Sequence, residues 1–316
     1  MTMSDPVLVL TCIDDPTSDA VIEELNSREV PVVRCDPADV LTGRLNVAAQ
    51  YGSGPSTLRT TSRDLDLHTI RSVYYRRPSP YRAPAGLTDH DGRFAADQAR
   101  HGMGGVLAGI RARWVNHIWR SLEADFKPAQ LAVAHELGFV VPPTLVTNVP
   151  GEARTFADAH DQVLYKPLHA SELHGEDGSL SVIWVDEVSP HDLDDSIGTT
   201  LHMFQQRVDK VADVRTTVIG ANVFSVRIDS PHLDWRRDYG AVTYSVIDTP
   251  DDVAKACRRY LERFGLLFGA FDFGLGADGQ WSWYECNSGG QWHWLELETG
   301  LPMTAALADL LEHVDD

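Results

Sequence analysis

Two runs near the end of the chain constrain its fold most: Ala270-Phe-Asp-Phe-Gly274 and Trp281-Ser-Trp-Tyr-Glu-Cys-Asn287. Each sets acidic or amide side chains inside an apolar, aromatic stretch, and Gly276-Ala-Asp-Gly279 supplies a turn between them. Such a pattern reads as two antiparallel strands of one hairpin. Alternate residues of a strand share a face, so Glu285 and Asn287 point the same way, with Asp272 facing them from the partner strand. Two carboxylates and an amide are hard oxygen donors, the kind magnesium takes beside water and phosphate oxygens. The competing reading is an ordinary hairpin with its acids in water. Phe271, Phe273, Trp281, Trp283 and Tyr284 weigh against it, because they give the acids an apolar backing that a solvated ribbon lacks.

The basic residues add a second constraint. The 316-residue chain holds four lysines, Lys127, Lys166, Lys210 and Lys255. Lys166 ends the run Val163-Leu-Tyr-Lys-Pro167, where an ammonium among apolar neighbours needs an anion, and a phosphate suits its movable point charge. Met203-Phe-Gln-Gln-Arg-Val-Asp-Lys210 reads as a short strand whose backbone can meet the edge of a purine. Asp213-Val-Arg-Thr-Thr-Val-Ile-Gly220 then begins a strand that carries Arg215 towards the phosphates. Singly, a lysine at a strand end and an arginine at a strand start are more often structural. Their combination with the acids points to a nucleotide.

The rest of the chain sets bounds. A net charge of −19 speaks against broad nucleic-acid binding, which needs Lys and Arg against phosphates. No run of 18 apolar residues occurs, so no membrane span is expected. Four scattered cysteines without a CxxC pair fit a reducing cytoplasm, the expected location. Val7–Ile13, Ala20–Leu25 and Val30–Cys35 alternate as strand, helix and strand, which predicts a parallel α/β sheet, here without a GxGxxG fingerprint. Leu45–Tyr51 and Ser56–Thr61 read as a hairpin, and helices are expected over about 91–112 and 122–137. Gly102-Met-Gly-Gly105 lacks the Gly-Lys-[Ser/Thr] ending of a phosphate loop and reads as tight helix packing. His169 and His174 fall in a polar loop reaching to Ser179, and His293 between two tryptophans reads as packing. Arginines crowd at 71–82 and again at 100–120, as a solvated face or a dock for an acidic partner.

In this order the elements resemble the ATP-grasp superfamily over about residues 112–300. The resemblance implies an α/β chain, α+β in its ATP-grasp part. A pre-ATP-grasp parallel sheet would span residues 1–118, and two subdomains, 119–202 and 203–316, would clasp ATP. It implies that Lys127 and Lys166 bind the nucleotide and that Gln205, Gln206, Arg207 and Val208 form a hinge holding adenine by its backbone. Lys210, Asp213 and Arg215 match the family's Lys…Asp-x-Arg run, and Asp272, Glu285 and Asn287 match the ligands of its magnesium, two ions in all. Tyr75-Arg-Arg-Pro, Trp114-Val-Asn116, Asp234-Trp-Arg236 and Gly289–Glu296 look like the graspetide synthetases. That likeness implies phosphorylation of acidic side chains in a ribosomal precursor peptide, with a leader and an acidic core. Intramolecular esters or amides then form through the acyl phosphate. Arg215 and Arg236 would serve the chemistry, with Arg237 as the substitute for Arg236, in a homodimer. The alternative is an intermolecular ligase adding an amino acid to a peptide, a protein C-terminus or a small molecule. An ATP-binding regulatory protein with a decayed site is disfavoured by the intact Lys127, Lys166, Arg215, Asp272, Glu285 and Asn287. The 71–120 arginines are the candidate leader surface.

Overall fold

Val7–Leu10 is four apolar residues in a row, all buried, as a central strand of a covered parallel sheet requires. In the computed structural model, which describes residues 5–52, 54–169, 172–174 and 180–313, it pairs in parallel with Val32–Cys35 on one side and Ser72–Tyr75 on the other. Arg113–Val115 completes this first sheet. The helix Pro16–Ser27 begins with proline in its first turn, where the missing N–H costs nothing. It turns Val21 and Leu25 inward. The last helix, Met303–Glu312, packs on this same layer, and Arg28 joins the two through Asp309 at 2.5 Å and Glu312 at 3.1 Å. One apolar core therefore runs from Val7 and Val21 through Ile219 and Phe268 to Trp292 and Leu307.

The helix expected over 122–137 is two helices, Ile118–Ala124 and Lys127–Glu136. Pro128 is the reason: its ring and missing N–H are tolerated only in a first turn, so the chain must break and restart just before it. The glycines at 102, 104 and 105 lie in the helix Asp89–Ala108, and nothing stands within 4 Å of where a Cβ would project from any of them. They are not the close helix contact that their clustering implies.

Two larger antiparallel sheets carry most of the rest. The second sheet orders Asp186–Val188, Val163–Lys166, His202–Gln206 and Thr144–Thr147, backed by the helix Pro150–Ala159. The third orders Thr243–Ile247, Asn222–Asp229, Ala212–Ile219, Phe268–Leu275 and Trp281–Asn287. The helix Asp251–Phe264 covers this sheet, setting Tyr260 against Phe271 and Trp283. The early hairpin forms as expected, from Asn46–Ala49 and Ser56–Arg59. Within the expected polar loop, Glu172–His174 pairs with Leu180–Val182; residues 170–171 and 175–179, and the side chain of His174, lie outside the described residues. Among the described residues no helix is long and apolar enough to cross a membrane.

One buried side chain ties the first sheet to the third. Asn116 donates from Nδ2 to the carbonyls of Phe268 (2.8 Å) and Ser288 (2.7 Å), and its Oδ1 accepts from the amides of Leu267 (2.8 Å) and Phe268 (3.0 Å). The asparagine of Trp114-Val-Asn116 is thus a structural staple. Asn116→Ala strands four backbone groups and should lower the unfolding free energy by about 3 kcal/mol. Urea denaturation measures this, and a loss well under about 1 kcal/mol would remove the staple from the account.

Candidate active site

Alternation along Trp281–Asn287 would put Trp281, Trp283 and Glu285 on one face, which the chemistry cannot use. The pairing with Phe268–Leu275 resolves the conflict. Asp272 stands opposite Glu285, but Phe273 stands opposite Trp283, so Tyr284 is the extra residue of a β-bulge. The bulge shifts the phase of the strand. Trp283 and Phe273 enter the core while Asp272 and Glu285 both face the cleft. Asn287 stays with Glu285, its Nδ2 3.3 Å from Glu285 Oε1.

Four cations close on these two acids. Lys127, at the start of its helix, lies 3.1 Å from Glu285 Oε2 and donates to the Pro167 carbonyl at 3.0 Å. Gln130, one turn on and buried, fixes that helix by accepting from the Cys286 amide (3.0 Å) and donating to the Cys286 carbonyl (3.0 Å). Arg215 sits opposite Asp272 on the central strand and reaches it at 3.1 Å. Arg236, in the single turn Trp235–Arg237, donates to Asp272 at 2.9 Å, lies 3.4 Å from Asp234, and rests over the Trp235 ring. Arg237 turns away to the Val185 carbonyl, so it does not substitute for Arg236 here. Lys166 ends its strand with Nζ 4.9 Å from the Tyr284 ring centroid and donates to Gln205 Oε1 at 3.1 Å.

The electrostatics follow from this crowding. Burial works to raise the Glu285 pKa, but Lys127, Arg236 and Lys166 outweigh it and hold the carboxyl far below its usual range. Enclosure pulls Lys166 down to about 8, with Glu285 opposing and Lys127 adding to the fall. Asp213 is pushed up by burial even though Lys210 grips both of its oxygens at 2.5 and 2.6 Å. Lys210 also donates to the Leu233 carbonyl at 2.9 Å, so its three N–H bonds are spent on the chain itself. It anchors the segment that carries Arg236.

The hinge is narrower than the sequence pattern implies. The amides of Gln206 and Arg207 donate to the Pro143 and Gln162 carbonyls at 2.9 Å each, and the Arg207 guanidinium pairs with Glu187. Gln205 is buried, held by Thr144. Among the described residues Val208, just past the strand end, is the hinge member whose N–H has no backbone partner. All twelve residues singled out from sequence, Lys127, Lys166, Gln205, Gln206, Arg207, Val208, Lys210, Arg215, Arg236, Asp272, Glu285 and Asn287, line one cavity of about 880 Å³. Sequence reasoning missed Gln130, Tyr284 and the cleft roles of Arg76 and Arg77. The doublet Gly289-Gly290 was the available signal for the cleft's far wall: a Cβ on Gly290 would lie 2.6 Å from that of Ala270 and 3.1 Å from that of Asn287.

No known family model and no curated protein matches the sequence. Solved structures do match. The macrocyclase MdnC of Microcystis aeruginosa MRC, bound with the precursor peptide MdnA, has a TM-score of 0.88 at 24% identity, covering 99% of this chain and 99% of that one. A RiPP-associated ATP-grasp ligase of Chryseobacterium gregarium, in complex with ADP and a leader and core peptide, has 0.88 at 26% identity, covering 97% and 96%. The ATP-grasp ligase PsnB with minimal precursor, Mg and ADP has 0.77 at 21% identity, covering 98% and 98%. The fold is that of ATP-grasp ligases, as the sequence motifs imply.

Two expectations follow from the geometry. Gly290→Ala must displace Asn287 or the loop behind it, and should cut turnover on the order of 100-fold while the far-ultraviolet spectrum is kept. Lys166 is charged below about pH 8 and neutral above it, so its hold on an anion is present at lower pH and lost as pH rises. ATP affinity of the free enzyme should fall through that range, and Lys166→Arg, which stays protonated, should flatten the profile. An unchanged pH profile in the variant would show that Lys166 does not meet the phosphates.

Proposed function

We propose that this chain, an ATP-grasp ligase by fold, phosphorylates acidic side chains of a ribosomal precursor peptide and closes ester or amide crosslinks within it. The observation that carries the reading is the charge arrangement of the cleft: Lys127, Lys166, Arg215 and Arg236 surround Asp272 and Glu285. Within a chain of net charge −19 this is a concentrated seat for a polyanion. The neighbours in structure support the substrate class, since one is a macrocyclase bound with its precursor peptide and another is held with a leader and core peptide. In this reading residues 119–202 and 203–316 clasp the nucleotide, residues 1–118 flank the peptide, and the peptide brings a leader and an acidic core. The enzyme acts as a homodimer.

A carboxylate is a poor electrophile, so the reaction first moves a phosphoryl group onto it. A substrate carboxylate oxygen attacks the γ-phosphorus of ATP, the bond to the β-phosphate oxygen breaks, and ADP leaves. A Ser or Thr hydroxyl, or a Lys amine, of the same peptide then attacks the acyl carbon. It loses its proton, and inorganic phosphate departs. Each ring removes one water from the peptide. Phosphoryl transfer is mainly a matter of position and charge. Lys127 and Lys166 hold phosphate oxygens. Arg215 is buried at the strand centre and fixed, whereas Arg236 is a third exposed on a one-turn helix. Arg236 is therefore the cation free to pass from Asp272 to the substrate carboxylate or acyl phosphate.

Asp272, Glu285 and Asn287 are the residues that would hold magnesium. Among the described residues no three His, Cys, Asp or Glu cluster as a metal site, but a pair of carboxylates with an amide fits an ion that completes its shell with water and nucleotide oxygens. When bound, magnesium supplies neutralisation of phosphate charge, and two ions match the family resemblance.

The test is ADP release with ATP and magnesium, with and without the peptide encoded beside this gene, with products weighed by mass spectrometry. Peptide-dependent ADP release and one water lost per ring are the expected results. ADP release that needs a free amino acid, with a product heavier than the peptide, would establish the intermolecular ligase instead.

A further inference from the structure

Among the described residues one cation of the cleft has neither an ion pair, a side-chain hydrogen bond nor a ring contact. Lys127, Lys210, Arg207, Arg215 and Arg236 each face a carboxylate of the chain, and Lys166 is held by Gln205 and the Tyr284 ring. Arg76 is buried and spends its guanidinium on the Gly289 carbonyl and on Gln291 at 2.5 Å. Arg77 lines the same cavity, is exposed, and among the described residues shows no ion pair or side-chain hydrogen bond. Its backbone is nonetheless fixed. The Arg77 carbonyl accepts from the Cys12 amide at 2.9 Å, and the residue before it is bound to Gly289, two positions past Asn287.

The topology places this arginine where a ligand is expected on independent grounds. From Val7–Leu10 the chain crosses to Val32–Cys35 on one side, then returns to Ser72–Tyr75 on the other. Ligands of open parallel sheets lie outside the carboxyl ends of the strands at such a switch point. Thr11–Cys12 and Arg76–Arg77 occupy it here. Apart from Lys127, which starts its own helix, the residues assigned to the nucleotide lie on or just beyond strands of the second and third sheets, whereas Arg77 follows a strand of the first and borders the part of the cavity left for the acceptor peptide.

We propose that Arg77 binds a second carboxylate of the peptide substrate, on a residue other than the one phosphorylated, and so sets which acidic peptides the cleft accepts. The proposal rests on the peptide-ligase reading and adds to it a specificity residue. The chemistry is that of a guanidinium fork, whose N–H pairs match both oxygens of a carboxylate and leave a neutral amide poorly bound. The reacting carboxylate does not need it, because Arg236 stands beside the acid pair for that purpose.

Steady-state ADP release tests this with the precursor peptide encoded beside the gene and a panel in which each of its acids is singly changed to the amide. Arg77→Ala should raise the KM of the parent peptide about tenfold, the size of one lost charge-assisted contact. One non-reacting amide peptide should raise the wild-type KM equally and then show no further penalty with Arg77→Ala. Arg77→Glu should be rescued by the peptide carrying Lys at that position. Arg259→Ala, an exposed arginine on the helix Asp251–Phe264 and outside this cavity, should match the wild type throughout. A rise in the KM of ATP in place of that of the peptide would overturn the proposal in favour of a phosphate contact. Penalties that add for every amide peptide would overturn it as well. Wild-type turnover with Arg77→Ala unaltered sinks the proposal alone, whereas a wild type without peptide-dependent ADP release sinks the peptide-ligase reading along with it.

Discussion

Asp272 and Glu285 face each other across two strands with an aromatic core behind them, and cations surround both. A carboxylate withdrawn from water is costly unless it is paired and hydrogen-bonded. Asp272 has Arg215 and Arg236, and Glu285 has Lys127, with Lys166 close enough to depress its pKa further. Much of the architecture serves to deliver those partners. Pro128 forces the helix restart that exposes Lys127 at an end, and Gln130 fastens that end to Cys286. Lys210 spends its own charge on Asp213 and Leu233 and so holds the turn that presents Arg236. The pairs also store the cations in place until a phosphate or substrate carboxylate competes for them.

The first sheet is joined to this centre by polar ties and by apolar packing. Asn116 and Arg76 both terminate on the segment just after the strand Trp281–Asn287, at Ser288 and Gly289. Arg71 and Arg113 reach the last residues of the C-terminal helix, at Glu312 and at Leu310 and His313. Several of the arginines that crowd residues 71–120 are therefore internal fasteners. A basic cluster in an acidic chain looks like a docking face from composition, yet a guanidinium's five donors also suit it to gather carbonyl oxygens where chain ends meet. Arg77 differs from its neighbours in that, among the described residues, its side chain shows no ion pair or hydrogen bond.

The hinge shows the same economy. Gln206 and Arg207 look available in sequence, but antiparallel pairing with Thr144–Thr147 and Val163–Lys166 positions their amides over the Pro143 and Gln162 carbonyls. Among the described residues of Gln205–Val208, it is Val208, past the strand end, whose backbone N–H has no backbone partner. A backbone group can meet a ligand only where the sheet stops satisfying it.

Much of the site was legible in the sequence, because its signals are local. A lysine at the end of an apolar strand, an acid and an amide spaced by two in an aromatic run, and an arginine at a strand start need no knowledge of distant contacts; together with the residues that the family resemblance added, Lys127, Val208 and Arg236 among them, all twelve line one cavity. The early βαβ sheet and the first hairpin follow from the same local periodicity. What the sequence left open depended on register between segments far apart in the chain. Alternation alone puts Trp283 and Glu285 on one face; only pairing with Phe268–Leu275 creates the bulge at Tyr284 that separates them. The choice of Arg236 over Arg237, the diversion of Lys210, the open surroundings of the glycines at 102–105 and the staple at Asn116 were likewise decided by neighbours brought in from elsewhere. Propensity and charge act within a few residues, whereas the partner that satisfies a buried polar group is chosen by the tertiary fold.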